Sequence, residues 1–537
     1  MTNAPISVFT EPATIADLIR EHAHACPTRA LLICDSERLT FAEAEELSAR
    51  LARGLIALGA WKGSHIGVLY PNSADFVVSV LAAARIGAVV VPLSTFSTTR
   101  ELREQLAHSD VHILLATTGY RSHDYGRRVL EVLGDPVVDS EGRIFSPAVP
   151  QLRHVILAGA AESPLLGSES VLRLADSVND AMLRAHEADV GAGDPLMIVY
   201  TSGSTSAPKG VVHSQGASLT HQRNLNAIRG LVETDVMYCN SPLFWIGGFA
   251  YAFLATLVAG ATLLCSNSTD DETTLDLLEE EKPTIANGFV APIAHLPKHP
   301  SFSRRDLSSL RRGNLYPLMP AEVRPKDPQL RHNLLGMTET GSVVLLSGDA
   351  GDQPEHRRGS FGKPAPGFEM RIVDLEDGAP VDSGVIGELC FRGPYLMRGY
   401  YKRSREESFD PDGWFHTGDL ARTDDDGFVY YLGRSGAMIK TAGANVAPAE
   451  VERAITEITG GPAHVLGLPD PQRGQVVAAV LAVEDPAAFD EARLRERLRA
   501  DLSAYKVPAR FAAVTAEEIP IMSSGKVDLP GLKRLFE

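Results

Sequence analysis

The chain has 537 residues, 44% hydrophobic and 22% charged, with a formal net charge of −17. That length accommodates a large domain plus a smaller one, and the composition is globular rather than disordered or fibrous. The acidic balance argues against nucleic acid as a partner, because backbone binding needs a basic footprint, but it leaves room for nucleotides held by amides and one or two cations.

The five cysteines, Cys26, Cys34, Cys239, Cys265 and Cys390, are odd in number and scattered, with no CxxC. Buried free thiols in a reducing cytoplasm fit this better than a disulfide frame or a structural zinc site. The N-terminal residues show no basic-plus-apolar signal pattern, and no apolar run is long enough to span a bilayer. The C-terminal Arg534-Leu535-Phe536-Glu537 is not a peroxisomal address, so the expected location is the cytoplasm.

In chain order, apolar residues at helical spacing predict an amphipathic helix from Phe41 to Leu58, followed by a buried strand over Ile66–Tyr70. A helix over Ala74–Ile86 and a strand through Val89–Val91 continue a β–α–β alternation, which points to an α/β fold with largely parallel sheets. The pattern returns at Leu196–Tyr200. The longest apolar run, Phe249 to Leu264, contains Gly260 and reads as buried core. Beyond about Phe361, short strands such as 369–373 and 387–391 alternate with Gly and Asp turns, as in a small barrel. From about Gly436, helix and strand alternate again over 448–455, 463–467, 476–483 and 492–503, as expected for a separate lid.

Leaving the Leu196–Tyr200 strand is the loop Tyr200-Thr201-Ser202-Gly203-Ser204-Thr205-Ser206-Ala207-Pro208-Lys209-Gly210. Its hydroxyls and amides can wrap a polyphosphate, with Lys209 as a point charge. It is not a Walker A loop, since glycine follows the lysine. Read alone, such a loop is more often a simple turn.

Further segments in register change that reading. Gly336-Met337-Thr338-Glu339-Thr340-Gly341, Trp414-Phe415-His416-Thr417-Gly418-Asp419-Leu420, Gly433-Arg434 and Pro520-Ile521-Met522-Ser523-Ser524-Gly525-Lys526 follow in order. Together with the loop they resemble the signatures of adenylate-forming enzymes, in particular the acyl-CoA synthetase branch. The resemblance covers nearly the whole chain. It implies a large N-terminal domain, 1–434, of two α/β subdomains plus a small β-barrel, and a smaller mobile α+β lid, 435–537.

The resemblance also implies roles. Thr201, Ser202, Gly203, Ser204, Thr205 and Lys209 hold the phosphates of ATP. Glu339 holds Mg²⁺, and Leu335, Gly336, Met337 and Thr338 lie against the nucleotide. Asp419 and Arg434 reach the ribose. Lys526 attends adenylation, with Thr201 and Glu339 beside it in the catalytic set. Lid rotation then brings up Lys440-Thr441-Ala442-Gly443, and Gly443 leaves room for the pantetheine arm of coenzyme A.

Departures from the family pattern cluster on the nucleotide side. Ser206 stands where glycine is usual, the stretch from Pro320 to Leu335 is several residues short, and Leu335 replaces an aromatic that stacks on adenine, a contact worth about 1–3 kcal/mol per base. Gly436 and Ala437 occupy the hinge position. One consequence is an enzyme that performs only thioesterification of an acyl-AMP made by a partner adenylating enzyme.

Candidates for the acid pocket are Trp245, Gly247, Gly248, Phe249, Asn287 and Gly288, with Leu334-Leu335 nearby. Their apolar character, with no acidic residue placed to receive an amino group, favours a fatty, aryl or polycyclic acid. A packed core tryptophan and a simple glycine turn explain Trp245 and Gly247-Gly248 equally well. Alternatives are an acyl-AMP ligase loading a carrier protein, a luciferase-like oxygenase and an inactive ligand-binding homologue. The oligomeric state is open, a homodimer included.

Overall fold

The computed structural model describes residues 14–159, 165–201, 209–349, 351–434, 438–520 and 527–537. Two compact units emerge. One comprises Met1–Thr95, Leu106–Tyr200 and Gly210–Gly433; the other contains Arg434–Glu537 and the short stretch Phe96–Gln105.

The first unit is built on two α/β sheets. In the eight-stranded sheet the order is Leu166–Gly167, His154–Leu157, Ile113–Ala116, His65–Leu69, Val89–Pro92, Pro195–Thr201, Lys209–Ser214 and Gly399–Tyr400. Its first six strands pair in parallel, whereas Gly399–Tyr400 joins antiparallel through Val211↔Tyr400 and Val212↔Gly399. The second, six-stranded sheet runs Arg312–Gly313, Ile285–Asn287, Val236–Cys239, Thr262–Cys265, Ala30–Cys34 and Glu37–Thr40.

The predicted elements fall within a residue or two of these positions. The Phe41–Ala57 helix starts at a capping box in which the Thr40 hydroxyl and the Glu43 carboxylate each satisfy the other's backbone N–H. The Ala74–Arg85 helix is capped by the Ser73 hydroxyl and is buried nearly all round, as its run of Val and Ala requires. These helices, the strands around Ile66 and Leu263, and Phe76, Phe249 and Phe253 share one core. The 249–264 run resolves into a π-helical stretch Gly247–Leu254, a short helix Ala255–Ala259 ended by left-handed Gly260, and the strand Thr262–Cys265.

After Leu335 the chain becomes antiparallel. Strands Leu335–Met337, Ser342–Leu346 and Lys363–Pro364 form one small sheet, and Glu369–Val373, Gly387–Arg392, Phe415–Thr423 and Val429–Arg434 another. Both contribute to one core with Phe391, Tyr395 and Phe415. The described strands of this region form these two antiparallel sheets and do not resolve the small β-barrel expected from the sequence.

The second unit is an α+β fold. Its sheet orders Ala444–Val446, Ile439–Thr441, Gly474–Ala482 and Ala463–Asp470, with Arg510–Val514 added parallel to Gly474–Ala482. Helices Pro448–Thr459 and Glu491–Asp501 pack their apolar faces on it through Val451, Ile455, Leu494 and Leu498. No helix among the described residues is long and apolar enough to cross a membrane.

Candidate active site

Glu339 sits on a single 3-10 turn, Thr338–Thr340, between the antiparallel strands Leu335–Met337 and Ser342–Leu346. Three features force this turn. Gly341 takes φ +71° to reverse the chain. Gly336 has no room for a side chain, since a Cβ there would lie 2.8 Å from the Ser342 carbonyl oxygen. The Thr340 hydroxyl donates to the Ser342 carbonyl at 2.8 Å.

The Glu339 carboxylate is buried, 7% exposed, and the Tyr400 hydroxyl donates to its Oε1 at 2.8 Å. The Met397 N–H donates to its carbonyl at 2.8 Å. Beneath the turn, His213 Nε2 donates to the Thr338 carbonyl at 2.7 Å. Burial pushes the His213 imidazole down to about 4, against the small upward pull of that hydrogen bond, so the ring is neutral. A buried carboxylate, with Thr338 next to it in the chain, offers hard oxygen donors, which fits Mg²⁺. Tyr400 and His213 escaped sequence reading because each is brought in by long-range pairing or packing.

Asp419 lies within the Phe415–Thr423 strand, 3% exposed. Pairing with Gly387–Arg392 slips register here, where Glu388 faces Leu420 but Cys390 faces His416. The extra residues bulge through Gly418 at φ +72°. The bulge is pinned by Thr417 Oγ1 donating to the Leu389 carbonyl at 2.6 Å and by the Gly418 N–H on Glu388 Oε1 at 2.8 Å. The Tyr431 hydroxyl reaches Asp419 Oδ1 at 3.5 Å.

Of the phosphate-loop residues, Thr201 ends the strand Pro195–Thr201 and Lys209 opens Lys209–Ser214. Ser202, Gly203, Ser204, Thr205 and Lys526 lie outside the described residues. Arg434 closes the Val429–Arg434 strand. In the second unit, Lys440 lies on Ile439–Thr441, where its N–H donates to Gln475 Oε1 at 2.9 Å. Ala442 and Gly443, at φ +48° and +87°, form the two-residue turn to Ala444–Val446, so Gly443 meets a backbone requirement of a tight hairpin.

Among the acid-pocket candidates, half-buried Trp245 packs edge-on against Phe289, ring centroids 5.9 Å apart, and Phe244. Phe249 is wholly buried against Phe76 and Phe253. The two glycines differ. A Cβ on Gly247 would meet only the Ser241 hydroxyl, at an ordinary 3.9 Å, whereas one on Gly248 would lie 2.1 Å from the Pro242 carbonyl oxygen. Gly248 therefore serves close backbone approach rather than room for a bulky acid.

Asn287 is buried at the end of Ile285–Asn287. Gly288, at φ +140°, is clamped by Asn314, which accepts from its N–H at 2.9 Å and donates to its carbonyl at 2.8 Å. Asn240 holds the neighbouring Phe289 backbone in the same double way, at 2.8 Å each. Leu335 is 6% exposed and belongs to the core around Val344 and Phe391. At Leu334 opens a cavity of about 990 Å³ lined by Val290, Tyr316, Leu334 and Phe361 and by the basic Lys298, Arg324 and Arg358.

A two-sheet α/β body, a buried carboxylate on a turn between two strands, and a second α+β unit carrying a lysine-bearing hairpin define the class of adenylate-forming enzymes. Residues 19–401 match the AMP-binding enzyme family and residues 450–526 match the AMP-binding enzyme C-terminal domain, so the chain belongs to this family. Within it the chain falls in the acyl-CoA synthetase branch and is an AMP-forming acid–CoA ligase.

It is 31% identical to a feruloyl-CoA synthase of Amycolatopsis sp., covering 93% of this chain and 94% of that protein. It is 29% identical to a putative acyl-CoA synthetase of Bacillus subtilis, covering 96% and 95%. Among solved structures, a double mutant of o-succinylbenzoate CoA synthetase from Bacillus subtilis, bound with a product analogue, superposes with a TM-score of 0.76. That match is at 26% identity over 96% of this chain and 98% of the other.

Proposed function

We propose that this protein converts an apolar carboxylic acid to its CoA thioester in two steps, in the cytoplasm, using ATP, Mg²⁺ and coenzyme A. The carboxylate attacks the α-phosphate of ATP, giving acyl-AMP and pyrophosphate. The CoA thiol then displaces AMP with loss of its proton.

The observation that carries the reading is Glu339, a buried acid retained at the turn between two strands and oriented by Tyr400. Among the described residues this carboxylate meets a neutral hydroxyl and no cation, and a buried charge without a counter-charge is costly, which supports a cation met in use. Glu339 with Thr338 would hold Mg²⁺, which when bound offsets the negative charge of the phosphates. Thr201, Ser202, Gly203, Ser204, Thr205 and Lys209 receive the phosphates. Asp419 and Arg434 hold the ribose, and Lys526 serves adenylation. The functional division falls at 434/435, and the 435–537 domain alternates between presenting Lys526 and presenting Lys440 and Gly443 to the second step.

Trp245 and Gly247 line the acyl side. Among the described residues, no carboxylate lines the cavity at Leu334, which supports an acid without an amino group. The cavity's Val290, Tyr316, Leu334 and Phe361 lining suits a fatty, aryl or polycyclic acid, beside the basic Lys298, Arg324 and Arg358. A second reading is favoured by one observation: Leu335 is absorbed into the sheet core, so its position offers no aromatic stack for adenine. On that reading the protein carries out only the thioester step on an acyl-AMP supplied by another enzyme.

A paired screen distinguishes them. One arm supplies carboxylic acids with ATP, Mg²⁺ and CoA; the other supplies the matching acyl-adenylates with CoA alone. Thioester in both arms is the expected result. Thioester from the adenylates alone establishes the second reading, and none in either arm removes both.

A further inference from the structure

A second cluster of metal-ligating side chains stands apart from Glu339, on the four-stranded antiparallel sheet. Glu388 and Cys390 are alternate residues of Gly387–Arg392 and so face the same side, and His416 lies opposite Cys390 on Phe415–Thr423. One ligand atom from each of the three lies within 4.8 Å of the others. His416 Nδ1 is 2.9 Å from Glu388 Oε2 and 3.4 Å from Cys390 Sγ.

We propose that Glu388, Cys390 and His416 form a binding site for one borderline-soft divalent cation of the Zn²⁺ type, separate from the site assigned to the nucleotide's metal.

The geometry suits the ion. Bonds of about 2.3 Å to sulfur and about 2.0–2.2 Å to nitrogen and oxygen, at tetrahedral angles, put neighbouring donors roughly 3.4–3.6 Å apart. The sulfur–nitrogen pair already has that separation. The nitrogen–oxygen pair needs to open by only about 0.5 Å. A thiol, an imidazole and a single carboxylate select zinc-like ions over Mg²⁺ or Ca²⁺, which take oxygen alone.

The surroundings orient these donors as outer partners do in metal sites. In the metal-free protein the His416 Nδ1–H donates to Glu388 Oε2 at 2.9 Å, while Asp410 Oδ2 stands 3.7 Å from Nε2 on the far side of the ring. On metal binding the ring proton would move to Nε2, facing Asp410, and leave the Nδ1 lone pair toward Glu388 and Cys390. Arg371, the nearby cation, donates to Asp410 at 2.6 Å and stacks over Trp414. Glu388 Oε1 is fixed by the Gly418 N–H, leaving Oε2 on the cluster.

Without a metal, the His416 ring donates to Glu388 Oε2 and the Cys390 thiol reaches the Glu388 carbonyl at 3.8 Å, so the three donors already converge on one point. Binding exchanges that thiol proton for the metal: the S–H bond breaks, the S–metal bond forms, and one proton goes to solvent. The thiolate and the Glu388 carboxylate then balance the two positive charges. The fourth position opens to solvent beside His416, whose side chain is 36% exposed. Since the site uses a single cysteine, no CxxC pattern marks it in the sequence.

The test is titration of the tag-free full-length protein with Co²⁺, followed by optical absorption and by competition with Zn²⁺. The expected result is a thiolate-to-cobalt charge-transfer band that saturates at one ion per chain and disappears on adding Zn²⁺. Cys390→Ser should abolish the band, and His416→Gln should weaken Co²⁺ binding at least about tenfold. Cys26→Ser, at a half-buried thiol elsewhere, should keep the band. Absence of the band in the unmodified protein, or its persistence in Cys390→Ser, overturns the proposal. Circular dichroism of each metal-free variant reports folding. If Cys390→Ser does not fold, His416→Gln decides alone, and unchanged Co²⁺ affinity in it overturns the site.

Discussion

At the scale of single residues, Tyr400 is as informative as the acid it serves. Its hydroxyl is the donor that fixes Glu339 Oε1 at 2.8 Å, and its backbone reaches that place only because Gly399–Tyr400 extends the parallel sheet antiparallel to Val211 and Val212. Removing a donor from a charged acceptor costs about 1.5–3 kcal/mol. Tyr400→Phe is therefore expected to lower kcat/KM for ATP by roughly 10- to 100-fold while leaving turnover of a preformed acyl-adenylate much less affected. Steady-state kinetics of the ATP-dependent reaction and of the adenylate-fed reaction check this, and equal losses in the two would assign Tyr400 to general packing. Glu339→Gln, by contrast, should raise the Mg²⁺ concentration needed for half-maximal adenylation by at least about tenfold. An unshifted Mg²⁺ requirement would sever Glu339 from the metal. Motif order alone singled out Glu339 and Asp419. It was silent on Tyr400, Tyr431, His213, Asn240 and Asn314, because a residue that positions another across a sheet carries no local signature.

At the scale of elements, Gly248 shows how a structural constraint imitates a functional one. Gly247-Gly248 read as an opening in the acid pocket, yet only Gly247 has space around it, and the helix that follows is π-wound from Gly247 to Leu254. A Cβ at Gly248 meets backbone, which cannot rotate away as a side chain can. Gly248→Ala is expected to destabilise the first unit by on the order of 3 kcal/mol, seen as a lower urea midpoint at unchanged slope. Gly247→Ala should leave the midpoint nearly unchanged and act on acid preference instead. A Gly248→Ala protein of full stability would refute the close-approach reading. Long helices and buried strands were legible because periodicity and caps are local, as at Thr40 with Glu43. The π-helical winding and the two-residue strands were not, since each depends on partners far along the chain.

At the scale of the whole molecule, the first unit carries three buried histidines that its chemistry does not need charged. His154 is pushed down to about 4 by burial and the nearby His112, His213 to about 4 by burial, and His221 to about 3 by burial while stacked on Tyr395. In the unfolded chain each returns to its ordinary value near 6.5. Between about pH 6.5 and 4 the unfolded state therefore binds more protons than the folded one. Stability rises with pH across that window, is fully present above it, and is lost as the pH falls. Each histidine contributes a slope of about 1.4 kcal/mol per pH unit, so the three together approach about 4 kcal/mol per unit near pH 5. Urea midpoints of the larger unit's transition, taken from pH 7 to 5, should fall accordingly. His221→Phe keeps a ring against Tyr395 and removes one titrating group, so its profile should be shallower by about one proton. A wild-type profile flat between pH 6.5 and 5 would mean that these imidazoles take up protons without unfolding, and that the core around them is wetter than its packing shows.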